Sequence, residues 1–189
     1  MSGDDSLPIP YTKHVITEED IASVCGVLRS DNLTQGRAVE AFENALSSYV
    51  GSSACIAVSN GTAALHLTCL AMGLAAGDSL WTSPISFVAS ANCALYCGAE
   101  IDFVDIEPGT WNIDVDSLEE KLTLAEKVNK VPKILVVVHL AGVSCDMRRI
   151  QQLKEKYNFL IIEDACHALG GSYGGFQVGA CEYFLLHES

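Results

Sequence analysis

The chain reads as an α/β protein in which a mostly parallel sheet is flanked by helices, preceded by an N-terminal helical segment. Three observations predict it. From residue 54 onward, short apolar runs alternate with stretches of helical period, the grammar of βαβ units. One of those runs, Phe159–Ile162, is continuous rather than alternating, as a strand covered on both faces is. Before residue 54 the apolar residues recur only at helical spacing.

At 189 residues one core-forming domain is the prior. Hydrophobic residues at 49% against 19% charged give a globular balance. A net charge of -13 argues against binding a nucleic-acid backbone or an anionic membrane surface. No apolar run reaches the length of a membrane span, and Met1–Pro10 is polar and acidic, unlike a signal peptide. A cytoplasmic protein is the expectation. The eight cysteines (25, 55, 69, 93, 97, 145, 166 and 181) are scattered, with no CxxC pair. Cys93 and Cys97 share a helix face but lack the second half of a tetrahedral set, so reduced, mostly buried thiols are expected and no metal.

Thr17, followed by Glu18, Glu19 and Asp20, opens the first helix, with acidic residues facing the macrodipole. Ile21, Val24, Val27 and Leu28 form its apolar stripe, and the turn formers Asp31–Gly36 break it. Val39, Phe42, Ala45, Leu46 and Tyr49 mark a second helix that Gly51 ends. Ala54–Val58 is expected as a strand, Ser59–Thr62 as a tight turn, and Ala63–Met72 as a helix closed by Gly73. Leu80–Thr82 is a short strand, and Ser83–Ser86 opens a helix over Phe87–Tyr96. Glu100–Ile106 reads as a strand, Pro108-Gly109 as a turn and Asp116–Lys127 as a helix. Ile134–Leu140 is the most β-branched segment; a helix over Met147–Tyr157 and a strand over Phe159–Glu163 follow.

In a parallel sheet every strand delivers its next loop to one edge, where ligands of open α/β sheets sit. Asp164 stands there, at the exit of an apolar strand, either as an ordinary strand-end cap or as a carboxylate awaiting a cation. The turn before the helix at Ala63 is either a simple cap or a phosphate seat, with Gly61 allowing close approach and Thr62 adding a hydroxyl. Phe87 is either a core residue or the cover of a planar ring. His139 is either satisfied structurally or turned to a ligand, and His167 lies three residues after Asp164. Jointly, a phosphate cradle, an apolar planar cover and a carboxylate able to hold a protonated ring nitrogen describe pyridoxal 5'-phosphate.

The strings LTQGRAVEAFENAL, AVSNGTAALHL, TSPISFVASANCALYCGA, VHLAGVSCDM and IIEDACHALGGSYGG resemble the DegT-type sugar aminotransferases of the fold-type-I PLP enzymes. The resemblance runs from about Ile9 to Gly179 and is nearest to the pseudaminic-acid-pathway members. It implies a PLP-dependent aminotransferase acting on a nucleotide-linked keto sugar (a UDP-4-keto-6-deoxy-hexosamine), with glutamate as donor, in cell-surface polysaccharide synthesis. It further implies a homodimer. By the same resemblance Gly61 and Thr62 would hold the cofactor phosphate, Phe87 would stack on the ring, and Asp164 would pair with its nitrogen. His167 would lie near the phenolic oxygen, and Thr34, Gln35 and Gly36 would border the sugar. The domains implied are residues 1–53 as the helical segment, 54–183 as part of the PLP-binding large domain, and 184–189 as a divergent tail, with the small C-terminal domain absent.

One departure stands out. The family's Schiff-base lysine follows this Asp by a few tens of residues, whereas the seven lysines here (13, 121, 127, 130, 133, 154 and 156) all precede Asp164. Residues 178–183 still follow the family pattern and 184–189 do not; His187 falls in that divergent stretch and is not assigned the lysine's place. The expectation is therefore a truncated, catalytically incomplete chain with no catalytic residue of its own. The rival readings are a non-catalytic member that binds PLP or a partner, and a nucleotide-binding α/β domain. The second lacks a GxGxxG or GxxxxGK[ST] after the first strand.

Overall fold

The computed structural model describes residues 13–180. The expected tail at Met1–Pro10, Cys181, the divergent segment 184–189 and His187 lie outside the described residues. The chain divides into two compact units, with the break between Phe42 and Glu43.

The smaller unit holds α1 (Glu18–Leu28) and the start of α2 (Arg37–Val50). Thr17 caps α1 by a capping box: its hydroxyl accepts the Asp20 N–H, and the Asp20 carboxylate accepts the Thr17 N–H at 2.7 Å.

The larger unit is a four-stranded, all-parallel sheet in the order β2-β1-β3-β4, built from β1 (Ser79–Thr82), β2 (Glu100–Phe103), β3 (Ile134–Val138) and β4 (Leu160–Asp164). Helices α3 (Gly61–Ala71), α4 (Ala89–Tyr96), α5 (Val115–Lys127) and α6 (Met147–Tyr157) flank it. The expected fold class is therefore observed. The strands' alternation assigns the faces. Leu80, Ile134, Val136 and Val138 join Leu65, Cys69, Ala89 and Cys93 of α3 and α4 in one core. Trp81, Leu135 and Val137 join Leu118, Leu122, Ile150 and Leu153 of α5 and α6 in the other. Every residue of β3 is buried, as a central strand with helices on both faces requires.

The structure corrects four expectations. Ala54–Val58 forms no strand: strand structure is a property of pairing, and here the Ala57 N–H is taken by the Glu43 carboxylate at 2.7 Å while Ile56 is 81% exposed. The segment Phe159–Ile162 is not buried on both faces, because β4 lies at the edge of the sheet and Leu160 is 38% exposed. The strand from Glu100 stops at Phe103, where β1 also ends, and Ile106 instead bridges antiparallel to Ile113. Finally, α4 begins at Ala89 rather than Phe87. Unforeseen were a short 3-10 turn over Leu140–Gly142 and a hairpin of β5 (Ser172–Tyr173) and β6 (Phe176–Gln177).

Candidate active site

The carboxyl ends of β1, β3 and β4 share one rim. Register pairs Val138 with Asp164, and the His139 N–H donates to the Asp164 carbonyl at 3.1 Å. The Asp164 side chain is buried on this rim. Its Oδ2 accepts from the Ser90 hydroxyl at 2.8 Å and its Oδ1 from the Cys166 N–H at 3.3 Å. Among the described residues no lysine, arginine or histidine pairs with it. A buried carboxylate held only by neutral donors has capacity for a cation.

The N-terminus of α3 opens beside it. Asn60 is the cap: its side chain accepts the Ala63 N–H at 2.8 Å and its carbonyl the Ala64 N–H. The Gly61 and Thr62 N–H groups belong to the first turn, where the helix ladder supplies no acceptor. A Cβ on Gly61 would lie 3.2 Å from Cys166 Sγ. Cys166 thus adjoins both Gly61 and Asp164, and burial together with the neighbouring Asp164 carboxylate pushes its thiol up to about 11. The phosphate-seat candidate and the carboxylate are therefore neighbours on one rim.

Phe87 is 70% exposed, which rules out a core role. His139, in contrast, is a satisfied core residue: Nδ1 accepts the Cys145 N–H, which puts its proton on Nε2, 3.1 Å from Glu163 Oε2. His167 is exposed, and its Nδ1 accepts the Ala141 N–H at 3.3 Å. The rim of the larger unit thus carries Gly61, Thr62, Phe87, Asp164 and His167. Thr34, Gln35 and Gly36 lie in the smaller unit, in the turn between α1 and α2, where Gln35 takes a φ of 51°.

Sequence reasoning missed Ser86, Ser90 and Cys166. The signal for the serines was present: two hydroxyls at i and i+4 in an apolar, Ala-rich stretch are placed to share a buried face. Asn112 was missed too; it accepts the Leu140 N–H and donates to the Val143 carbonyl, and so holds the turn that contacts His167.

Residues 14–185 match the DegT/DnrJ/EryC1/StrS aminotransferase family. The chain belongs to this family. Among curated relatives, the UDP-4-amino-4,6-dideoxy-N-acetyl-beta-L-altrosamine transaminase of Campylobacter jejuni is 38% identical over 172 residues, covering 91% of this chain and 44% of the relative. Helicobacter pylori PseC, an aminotransferase involved in pseudoaminic acid biosynthesis, superposes with a TM-score of 0.81 at 32% identity, over 90% of this chain and 44% of PseC. The PLP form of Spr1654 from Streptococcus pneumoniae matches with a TM-score of 0.81 at 29% identity, over 90% of this chain and 46% of Spr1654. The chain therefore spans less than half the length of these DegT-family relatives.

Pyridoxal phosphate fits the residues of the rim. The first turn of α3, open at Gly61, suits its phosphate, the buried Asp164 suits a protonated ring nitrogen, and the exposed Phe87 offers a ring face. The larger unit's lysines lie elsewhere: Lys121 pairs with Asp102 beside β2, Lys133 pairs with Asp78, Lys127 and Lys130 line a cleft of about 1120 Å³ at the strands' amino ends, and Lys154 and Lys156 end α6.

Proposed function

We propose that this chain supplies the cofactor-binding part of an aminotransferase that transfers an amino group from an amino acid such as glutamate to a nucleotide-linked keto sugar. The observation that carries the reading is the buried Asp164 carboxylate, unmatched by any cation among the described residues and separated from the Gly61 helix terminus only by Cys166. Bound pyridoxal phosphate would supply an electron sink for a carbanion. Gly61 and Thr62 would bind its phosphate through the first-turn N–H groups and the Thr62 hydroxyl. Phe87 would cover one ring face and exclude water there. Asp164 would accept the hydrogen bond of the ring N–H, and His167 would sit toward the phenolic oxygen. Thr34, Gln35 and Gly36 would border the sugar.

Proton transfer at the substrate carbon needs a movable base, and the larger unit's lysines are all placed away from this rim. That favours a second reading, in which these 189 residues bind the cofactor without turning over substrate. A homodimer and a cytoplasmic location belong to the same proposal. Titration of the chain with pyridoxamine 5'-phosphate, followed by fluorescence, tests the cofactor reading. Asp164→Asn should weaken binding roughly tenfold or more, the loss of one charged hydrogen bond. Equal affinity for the wild-type and Asp164→Asn chains would overturn it.

A further inference from the structure

The Ser90 side chain is fully buried in the first turn of α4, and its hydroxyl sits between two oxygens: Asp164 Oδ2 at 2.8 Å and Ser86 Oγ at 2.7 Å. A hydroxyl has one proton to donate. The carboxylate is the stronger acceptor, so the Ser90 proton goes to Asp164 and the Ser86 hydroxyl donates to Ser90. Both protons then point along one chain toward the carboxylate, an arrangement in which each bond polarises the next. Neither hydroxyl is needed for the helix itself, since the Ser90 N–H is satisfied by the Phe87 carbonyl.

We propose that Ser90, backed by Ser86, is a positioning residue that keeps the proton of the Asp164–pyridine pair on the ring nitrogen. The inference rests on the cofactor reading above. In a dry carboxylate–pyridinium pair the proton can pass to the carboxylate and leave two neutral partners. Each hydrogen bond donated to the carboxylate opposes that transfer by favouring its charged form. Without the Ser90 hydroxyl, Asp164 would retain the Cys166 N–H on Oδ1 and the weaker hydrogen bond of the Cys166 thiol. The other titratable groups near it do not replace Ser90. Glu163 is turned to His139, the Cys93 thiol donates to the Ser90 carbonyl, and His167 is engaged by the Ala141 N–H. The Cys166 thiol stays protonated at neutral pH. The relay also carries the orientation of Asp164 into the loop bearing Phe87, because Ser86 is its immediate neighbour in the chain.

The test uses the chain loaded with pyridoxamine 5'-phosphate carrying nitrogen-15 in the ring, observed by NMR at neutral pH. Wild type should show the resonance of a protonated ring nitrogen. Ser90→Ala should move it toward the neutral position and weaken binding roughly tenfold, the scale of one hydrogen bond to a charged group. Ser90→Thr, which keeps the hydroxyl, should restore both. Ser86→Ala should shift the resonance in the same direction by less, and it carries the test if Ser90→Ala does not fold. A purely structural serine would change the melting temperature and leave the nitrogen resonance where it was. If Ser90→Ala, or failing that Ser86→Ala, keeps the wild-type resonance while Asp164→Asn loses it, the relay is overturned and the cofactor reading survives. If Asp164→Asn also behaves as wild type, the cofactor reading falls and takes the inference with it.

Discussion

At the scale of single residues, the rim is decided by close approaches that no spacing rule encodes. Gly61 starts α3 without a positive φ, so alanine there would not strain the backbone and would add helix propensity worth up to about 1 kcal/mol. Its Cβ would nevertheless press on Cys166 Sγ at 3.2 Å, and Cys166 anchors Asp164 through its N–H. Gly61→Ala should therefore leave thermal stability near wild type while weakening pyridoxal phosphate roughly tenfold. Adding Cys166→Ala should recover part of that affinity, a non-additivity readable by fluorescence titration of the wild type, the two single variants and the double variant. His139 makes the opposite case. Its two nitrogens serve Cys145 and Glu163, and truncation would leave both partners unmatched in a closed core. His139→Ala should cost about 3 kcal/mol in denaturant unfolding without a direct effect on a ligand. The sequence favours the structural role for this histidine but leaves the ligand role open, because one residue's hydrogen-bond partners are set by segments far away in the chain.

At the scale of elements, legibility followed local chemistry. The helix over Met147–Tyr157 was read to the residue because its signals are its own: the Asp146 carboxylate accepts the Arg149 N–H, and Asn158 ends it at a φ of 57°. The start of α5 is similarly local. Asp114 accepts from the Asp116 and Ser117 N–H groups and the Ser117 hydroxyl, so Asp114→Ala should cost about 1–2 kcal/mol in denaturant unfolding. Strands were less legible, since a strand needs a neighbour. Ala54–Val58 has the residue types and no partner among the described residues, and the apolar run at β4 did not disclose that it lies at an edge. A pairing that does exist, between β1 and β3, is buttressed at its amino end by Lys133, which binds Asp78 at 2.7 Å and the Gly73 carbonyl. The Lys133 ammonium and then the Ala75 N–H hold the Asp78 carboxyl below its ordinary value of 3.8. A carboxyl depressed in the folded state stabilises above its unfolded pKa, and that contribution is lost as pH falls through the folded value. Asp78→Asn should lower stability at neutral pH and converge on wild type below about pH 4, which flattens the acid limb of the unfolding curve, a difference that salt reduces.

At the scale of the whole chain, two opposing features govern behaviour in solution. The net charge of -13 keeps copies apart. Against it stand β4, at the edge of the sheet among the described residues and bearing Leu160, and the strandless segment bearing Ile56, both in the larger unit and both exposed. Unpaired backbone beside exposed β-branched or leucine side chains is a template for intermolecular pairing. Salt separates the two effects, since it screens the repulsion within about 10 Å at roughly 0.1 M and leaves apolar and backbone contacts intact. Self-association measured by sedimentation velocity should therefore rise with salt. Ile56→Lys and Leu160→Lys should each reduce it, because a lysine on the edge must be desolvated before a second strand can dock. The core should be indifferent to either change, as both side chains lie outside the two clusters that close on β3. Association that instead fell with salt would assign the contact to charge, and the edges would then not be its cause.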